Sequence, residues 1–557
     1  MTSLADSDAI IDALFSEGAD LVAVARASYQ AFLAACARPT AIQNELLRAI
    51  LHEARESEFG REHGFAAIDS LARYREAVPP HSYDQLRPYI DRVVDGAADV
   101  LFSGRPEFYA QTSGTTGVPK RVPFSKALPH EYAAFFFPSF GAVDTAIPGA
   151  FAGRQMIFAK FVDGHVNGVP FGAANGYVRN LHEHTFGDLR VPSVVYDEPV
   201  LNIRYYAMFL YMLSQPLVWL AALNPSTLLT FIDKLDALGP ALAADLAAGT
   251  WTHGPDGVER VMSAAPAYKA APETARRIQE SLARSGRVDL EHVCPELRII
   301  TLWRGGNAKH YQAQVRARVP TVELRAEVSG SSEASLLVPL DADTDGGVPS
   351  LLSTVIEFLP IEHEPGDGVV HDIEELEADQ GYRLIVTNRR GMYRLVMDDV
   401  FYLERYVERA PVLRFSHRHG LTSSLTGEKL TEWHVMEAMQ AAATATRIDV
   451  LDYQLRPEWG EPPHYVLLVE IDGAVELQPF LAAFEAKLAE VNIEYAAKRS
   501  SQRLASPHLV VIPRGELRRW MEKELAATGR SDAQAKIARL RRELLTLDAG
   551  LARIELA

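Results

Sequence analysis

From residue 150 onward, short runs rich in β-branched and aromatic residues alternate with helical stretches. That alternation restricts the chain to few architectures. The strand-like runs are QMIFAKF, LRIITLW, TVELRAEV, TVIEFLPI, YRLIVTN and VLRFSH, and helical patterns such as TARRIQESLARS lie between some of them. Interleaved strands and helices predict an α/β fold. The residues before them read differently. AIQNELLRAILHEARES places Leu46, Leu47, Ile50 and Leu51 at helical spacing, and residues 1–105 are expected to be mostly helical. The chain has 557 residues, more than one domain usually holds. A boundary is expected near 418–425, where FSHRHGLTSSLTGEK brings Gly, Ser and Thr after the last strand-like run. Beyond it, IDVLDYQLRP, HYVLLVEID and PHLVVIPRG read as strands. LQPFLAAFEAKLAEVNIEYAAKR sets Phe480, Phe484, Leu488, Val491 and Tyr495 on one helix face. The expected division is a large α/β domain over 1–420 and a small α+β domain over 421–557.

Charge and cysteine content narrow the function. The net charge of −17 argues against a nucleic-acid partner, because phosphate backbones attract basic surfaces. The two cysteines, Cys36 and Cys294, sit in no CxxC or Cys/His pattern, so neither a disulfide framework nor a structural zinc site is expected. The start MTSLADSDAIIDALF lacks a basic leader, and a cytoplasmic protein is expected. The stretch from Tyr205 to Ile232 carries no charge and is long enough to span a bilayer. Pro216 and Pro225 interrupt it, so it is read as two buried helices and no membrane span. His182 and His184 stand two apart with no third ligand nearby, which does not make a metal site.

The stretch TSGTTGVPK is the chemical signal. Thr112, Ser113, Thr115 and Thr116 surround Gly114 and Gly117, and Lys120 follows Pro119. Hydroxyls and backbone amides donate, glycines admit a close backbone approach, and lysine adds a mobile positive charge. Together they suit a phosphate chain. The glycine spacing is not that of a Walker A loop. It resembles the phosphate loop of the adenylate-forming superfamily, which includes acyl-CoA synthetases, peptide-synthetase adenylation domains and luciferases. Over about residues 40 to 540 the chain resembles one branch of it, the GH3 family of acyl acid–amido synthetases. The resemblance runs through EFGREHGFAAIDSLARYREAVPPHSYDQLRPYIDRVVDG, VSGSSEAS, VIEFLP, LIVTNRRGMYRLVMDDVFYLERY, PVLRFSHR, GEKLTE, HYVLLVE, NIEYAAKR and QAKIAR, in that order.

The resemblance implies a firefly-luciferase-like large domain with a small mobile one. It also implies an ATP- and Mg2+-dependent ligase that makes an acyl-adenylate from a carboxylic acid and passes the acyl group to an amine, usually of an amino acid. Thr112 to Gly117 and Lys120 would contact the β- and γ-phosphates. Ser331, Ser332 and Glu333 would meet the α-phosphate, with Glu333 as the metal carboxylate. Asp399 aligns with the aspartate that grips the ribose hydroxyls, and Arg418 would pair with phosphate or ribose or cap the domain junction. A lysine of the small domain is expected to reach the α-phosphate, and Lys429 and Lys536 are both candidates. The acid pocket would lie among residues 150–220 and 303–330, where Phe151, Phe158, Phe161, Phe171, Tyr177, Tyr205 and Phe209 would form either its walls or plain core. WRGGNAKHY resembles the seat of adenine and acyl group.

Some positions depart from the family pattern. Ser329 replaces a tyrosine, Val396 an arginine and Asp398 a glycine, and QAKIAR lacks a Tyr and a Pro. These mark a divergent member, expected to be bacterial and monomeric or weakly oligomeric. Two alternatives stay open: a ligase that forms a thioester with coenzyme A or a carrier protein, and a nucleotide-binding relative without catalysis.

Overall fold

The computed structural model describes residues 3–555 except 112–119, 151–154, 158–161, 175–176, 178–190, 223–224, 306–310, 420–421, 427, 473–475, 529–536 and 543–552. The chain forms two compact units. The first holds residues up to Met397 and Phe401–Phe415, and the second holds Asp398–Val400 and Ser416 onward.

The first unit opens with helices Leu4–Leu14, Leu21–Cys36, Pro39–Ala54, Glu58–Glu62, Leu71–Ala77 and Tyr83–Val94. Their starts are written in the sequence. Ser3 and Ser82 form capping boxes with Asp6 and Gln85, and Asp20, Ser57 and Ser70 cap three more. Leu46, Leu47, Ile50 and Leu51 are all buried, as their spacing predicts. Helix Leu128–Ala146 packs on Leu21–Cys36 so closely that a Cβ on Gly141 would lie 2.0 Å from the Ala25 carbonyl oxygen. Only glycine fits there.

A parallel sheet takes the order Gln155–Ile157, Trp219–Ala221, Ile299–Leu302, Glu323–Ala326. Helices Leu201–Leu213, Pro225–Ala248 and Pro272–Ser285 share one hydrophobic core with it. The uncharged run therefore differs from the two-helix expectation: a strand, Trp219–Ala221, separates the helices. Tyr205 stacks on Phe209 and both pack at a tilt against Phe231 inside this core, so they fill it and do not wall a pocket. No helix among the described residues is long and apolar enough to cross a membrane.

Two antiparallel elements complete the unit. Ser329–Gly330, Ser335–Val338 and Val348–Pro349 form a three-stranded sheet. Val355–Pro360 pairs in register with Gly381–Thr387 in a four-stranded sheet that continues through Leu395–Val407 and Ala410–Arg418.

In the second unit, strands Val450–Glu458, His464–Ile471, His508–Val511 and Arg553–Glu555 form a mixed sheet over helices Glu432–Thr446 and Leu477–Val491. The predicted long helix is broken. Asn492 leaves the helical conformation, and its side chain accepts the Tyr495 N–H to cap a new helix, Ile493–Ser500. Phe480, Phe484, Leu488 and Tyr495 are buried, whereas Val491 is half-buried at the break.

Candidate active site

Thr112, Ser113, Gly114, Thr115, Thr116 and Gly117 lie outside the described residues, and so do Lys536, His182, His184, Phe151, Phe158 and Phe161. The flanks of the TSGTTGVPK loop are defined. Strand Phe108–Gln111 pairs antiparallel with Arg121–Phe124, and Gln111 faces Arg121. Residues 111 and 121, on either side of the loop, therefore stand opposite each other in one hairpin.

Lys120 sits at the second foot of that hairpin. Its Nζ lies 4.8 Å from the centroid of the Tyr83 ring. Tyr83 is the first residue of helix Tyr83–Val94, and its hydroxyl is tied to the same foot: it donates to the Arg121 carbonyl at 2.7 Å and accepts the Arg121 N–H at 3.0 Å. Burial pushes the Tyr83 phenol up to about 12. The hydrogen bond to Arg121 opposes that shift, and the negative charge of nearby Glu333 adds to it. Tyr83 is therefore neutral at physiological pH. Its ring supports the Lys120 cation, and its hydroxyl feels the Glu333 carboxylate. Tyr83 thus packs against the cation of one motif and lies within electrostatic reach of the carboxylate of another.

Ser331, Ser332 and Glu333 form the tight connection between strands Ser329–Gly330 and Ser335–Val338. Ser331 Oγ accepts the N–H groups of Glu333 and Ala334, each at 3.2 Å, and the Ser331 N–H bonds the Ala334 carbonyl at 2.9 Å. Those bonds use the Ser331 lone pairs and not its hydroxyl proton. Ser332 is buried and Glu333 half-buried.

A second layer, which the sequence does not announce, holds this turn. Asn388 Nδ2 donates to the Glu333 carbonyl at 2.8 Å, and Arg390 donates to the Ser332 carbonyl at 3.0 Å and to Ser335 Oγ at 2.7 Å. The only advance signal is two arginines in NRRG directly after the strand-like run YRLIVT. Arg394 is structural: it binds Glu357 through Nε at 2.9 Å and Nη2 at 3.1 Å, and the Val78 carbonyl at 2.8 Å. Two family landmarks, VIEFLP and MYR, are thus a buried ion pair.

At the carboxyl edge of the parallel sheet, Glu327 accepts the Thr301 hydroxyl at 2.6 Å, and Thr301 accepts Trp219 Nε1 at 2.9 Å. Burial raises the Glu327 carboxyl above its ordinary range, and the Thr301 and Val328 hydrogen bonds offset only part of that. Nearby, Trp303 packs its ring 5.4 Å from that of Phe415. Open parallel sheets bind ligands at this edge. Tyr177 belongs to the hydrophobic core shared by the N-terminal helices and the antiparallel strands, and partly buried Phe171 packs against it.

The second unit carries the remaining candidates. Asp399 lies within strand Leu395–Val407, not at a strand end, and Arg418 Nε donates to its Oδ1 at 3.2 Å. Asp398 accepts the His419 N–H through its carbonyl at 2.5 Å, and its side chain is exposed. Lys429 is exposed and has φ of +48°, a left-handed conformation that is costly for a residue with a Cβ. Its neighbours enforce it. Fully buried Glu428 accepts the Leu425 N–H at 2.7 Å, the Thr426 N–H at 2.8 Å and the Tyr465 hydroxyl. Burial alone would raise the Glu428 carboxyl, but the Tyr465 and backbone donors hold it below its ordinary range. Asn492 Nδ2 donates to the Glu428 carbonyl at 3.0 Å. Local strain that is over-determined in this way is a mark of functional positions.

The sequence matches the models of the GH3 family N-terminal domain over residues 28–324, central domain over 350–418 and C-terminal domain over 433–544. The chain belongs to the GH3 family. It is 24% identical to a probable indole-3-acetic acid-amido synthetase of Oryza sativa subsp. japonica, covering 89% of this chain and 90% of the relative. It is 23% identical to a 4-substituted benzoates-glutamate ligase of Arabidopsis thaliana, covering 80% and 81%. The solved acyl acid amido synthetase AtGH3.15 in complex with 2,4-DB shares the fold, with a TM-score of 0.79 at 20% identity over 92% of this chain and 94% of that one.

Proposed function

We propose that this protein is an ATP-dependent ligase that activates a carboxylic acid as its acyl-adenylate and transfers the acyl group to the amine of an amino acid. The observation that carries the reading is that Lys120 seats on the Tyr83 ring while the Glu333 carboxylate lies within electrostatic reach of the same phenol. One places a cation beside the phosphate-type loop and the other a carboxylate at a serine-rich turn. Family membership and relatives named for joining acids to amino acids support it.

The donor set suits the reactants. Lys120 and the hydroxyls of 112–116 hold the β- and γ-phosphates, and Ser331 and Ser332 lie at the α-phosphate. Glu333 suits Mg2+, which prefers one or two carboxylates plus phosphate oxygens and water. When bound, Mg2+ neutralises charge on the phosphate oxygens. The protein forms no covalent bond. It orients the carboxylate for attack on the α-phosphorus, keeps cationic and hydroxyl donors where charge develops, and excludes water from the mixed anhydride. Pyrophosphate leaves first and AMP after amine attack. Asp399 accepts the ribose hydroxyls. Lys429 is the small-unit lysine whose strained, enforced backbone supports a role at the α-phosphate, with Lys536 as the other candidate. The small domain, residues 421–557, reorients between the half-reactions.

The departures at Ser329, Val396 and Asp398 support placing the chain in a bacterial branch of the family. We read it as a cytoplasmic monomer or weak oligomer. The test is pyrophosphate release with ATP, Mg2+ and a panel of aryl, indole and fatty acids, followed by addition of amino acids or coenzyme A. Acid-dependent release with an amide product establishes the reading. A product formed only with coenzyme A replaces it with thioester formation, and silence across the panel sinks both.

A further inference from the structure

We propose that Arg390 is a positioning residue for adenylation. Its guanidinium clamps the Ser331–Glu333 turn to the strand Arg121–Phe124 and the helix Leu128–Ala146, which fixes the turn relative to the strand that begins beside Lys120. The proposal deepens the reading above and rests on it.

Arg390 is among the largest fully buried side chains of the protein. On one side, Nη1 donates to the carbonyls of Ser332 at 3.0 Å and Ser331 at 3.4 Å, and Nη2 donates to Ser335 Oγ at 2.7 Å. These bonds span the turn from its first residue to the strand beyond it. On the other side, Nη2 lies 2.7 Å from the carboxylate of Glu131, which is itself fully buried. The guanidinium carbon is 5.1 Å from the ring centroids of both Phe124 and Tyr132. Phe124 ends the strand that leaves the loop, and Glu131 and Tyr132 lie in the first turns of helix Leu128–Ala146. One planar cation thus touches both segments that flank the phosphate groups.

The bond pattern separates positioning from plain stabilisation. Among the described residues the Glu131 carboxylate accepts no well-aligned N–H, although it lies at ion-pair distance from Arg390. It supplies compensating charge, while the directional donors go to the turn. A buried ion pair of this kind is poor value for stability, since apolar replacements of similar volume are often neutral or better. What it does supply is geometry. Arginine offers a rigid fork that can hold two carbonyls and a hydroxyl at once, and lysine cannot. Asn388 completes the clamp: its Oδ1 accepts the Arg390 N–H at 3.0 Å while its Nδ2 holds the Glu333 carbonyl at 2.8 Å. Gly391, at φ +78° with the Leu101 Cβ 2.6 Å from where its own would stand, permits the reversal that turns Arg390 inward. Arg390 reaches the reaction only through the turn, so its loss should act on rate more than on acid binding.

The experiment compares Arg390→Met, Arg390→Lys and Glu131→Gln with Lys120→Ala, measuring acid-dependent ATP–pyrophosphate exchange and melting temperature on the full chain. The expected result for Arg390→Met is a kcat about 10- to 100-fold lower per folded molecule, with KM for the acid unchanged. Arg390→Lys keeps the charge beside Glu131 but loses the fork, and should stay at least about tenfold down. A normal kcat in folded Arg390→Met, or full recovery in Arg390→Lys, overturns the positioning role. If Arg390→Met does not fold, the lysine variant and Glu131→Gln decide on the same kcat criterion. Glu131→Gln is expected to keep most of the rate, because the fork remains, and a rate as low as that expected for Arg390→Met would assign the effect to charge and overturn the proposal. Wild-type exchange in Lys120→Ala would instead sink the phosphate-site reading. Loss in Lys120→Ala beside full rate in the Arg390 variants sinks only the positioning role.

Discussion

Arg418 donates from Nε to Asp399 Oδ1 over 3.2 Å, so the carboxylate proposed to hold the ribose is oriented by a cation from the neighbouring strand. A carboxylate accepting a ribose hydroxyl makes a charge-assisted hydrogen bond, worth about 1.5–3 kcal/mol. Asp399→Ala is therefore expected to raise KM for ATP about 10- to 100-fold. The sharper measurement pairs the variant with 2′- and 3′-deoxy-ATP. The wild type should discriminate against at least one of them, and Asp399→Ala should not. Equal discrimination by both proteins would remove Asp399 from the ribose site.

The second unit carries a pH dependence. Burial lowers His434 to about 4, and burial together with the nearby His434 and His419 lowers His417 to about 4. The unfolded chain takes up protons near 6.5, before the folded one does. Stability contributed by the neutral rings is thus complete above about pH 6.5 and falls as pH drops toward 4. The geometry says where. His434 Nδ1 accepts the Thr431 N–H at 2.9 Å, closing the capping box of helix Glu432–Thr446, and a protonated ring cannot accept it. Protection factors for hydrogen exchange at residues 430–436, taken relative to the intrinsic rate at each pH, should fall between pH 7 and 4.5 in the wild type. In His434→Gln, whose amide oxygen can still accept, that fall should shrink. Protection factors that ignore pH in both proteins would refute it.

Much of this fold was legible in the sequence, and the misses have physical reasons. Serine and aspartate caps and the helical spacing of Leu46 to Leu51 lie within single elements, and local rules read them. The strand Trp219–Ala221 was missed because a short apolar run between two prolines suits a buried strand as well as a buried helix. Its neighbours, Gln155–Ile157 and Ile299–Leu302, decide the matter, and they are distant in sequence. The break at Asn492 had a local signal, an asparagine ahead of IEY, but the apolar period runs through it. Within the site, residue types at motif positions were readable. Arg390 was not, because Glu131, Phe124 and Ser332 come to it only through tertiary structure.

Glu327 is a half-buried acid whose protonated form desolvation favours. Glu327→Gln keeps an acceptor for the Thr301 hydroxyl and removes a poorly solvated charge. The variant should melt higher than the wild type at pH 8, and the gap should narrow as pH falls and the wild-type carboxyl protonates. A raised folded-state value costs stability as pH rises through the range, which sets that sign. A melting temperature unchanged or lower at pH 8 would show that the ionised carboxylate is better compensated than its surroundings indicate.

Lys429 allows stability and activity to be separated at one position. A left-handed residue with a Cβ costs roughly 1–2 kcal/mol that glycine does not, although glycine also loses more backbone freedom on folding, about 0.5–1 kcal/mol. Lys429→Gly is therefore expected to leave the melting temperature unchanged or slightly raised, since φ is +48° and the side chain is exposed. Lys429→Ala should lower it, because the strain stays and the long side chain goes. If Lys429 carries the α-phosphate contact, both variants should lose about 10²- to 10³-fold in adenylation, the cost of removing one donor to developing charge. Glycine would then give a protein at least as stable as the parent and nearly inactive. Aminolysis of a preformed acyl-adenylate should survive in both, because the lysine acts while pyrophosphate leaves. Full adenylation in Lys429→Gly would transfer the role to Lys536, and Lys536→Ala measured beside it would show the loss instead.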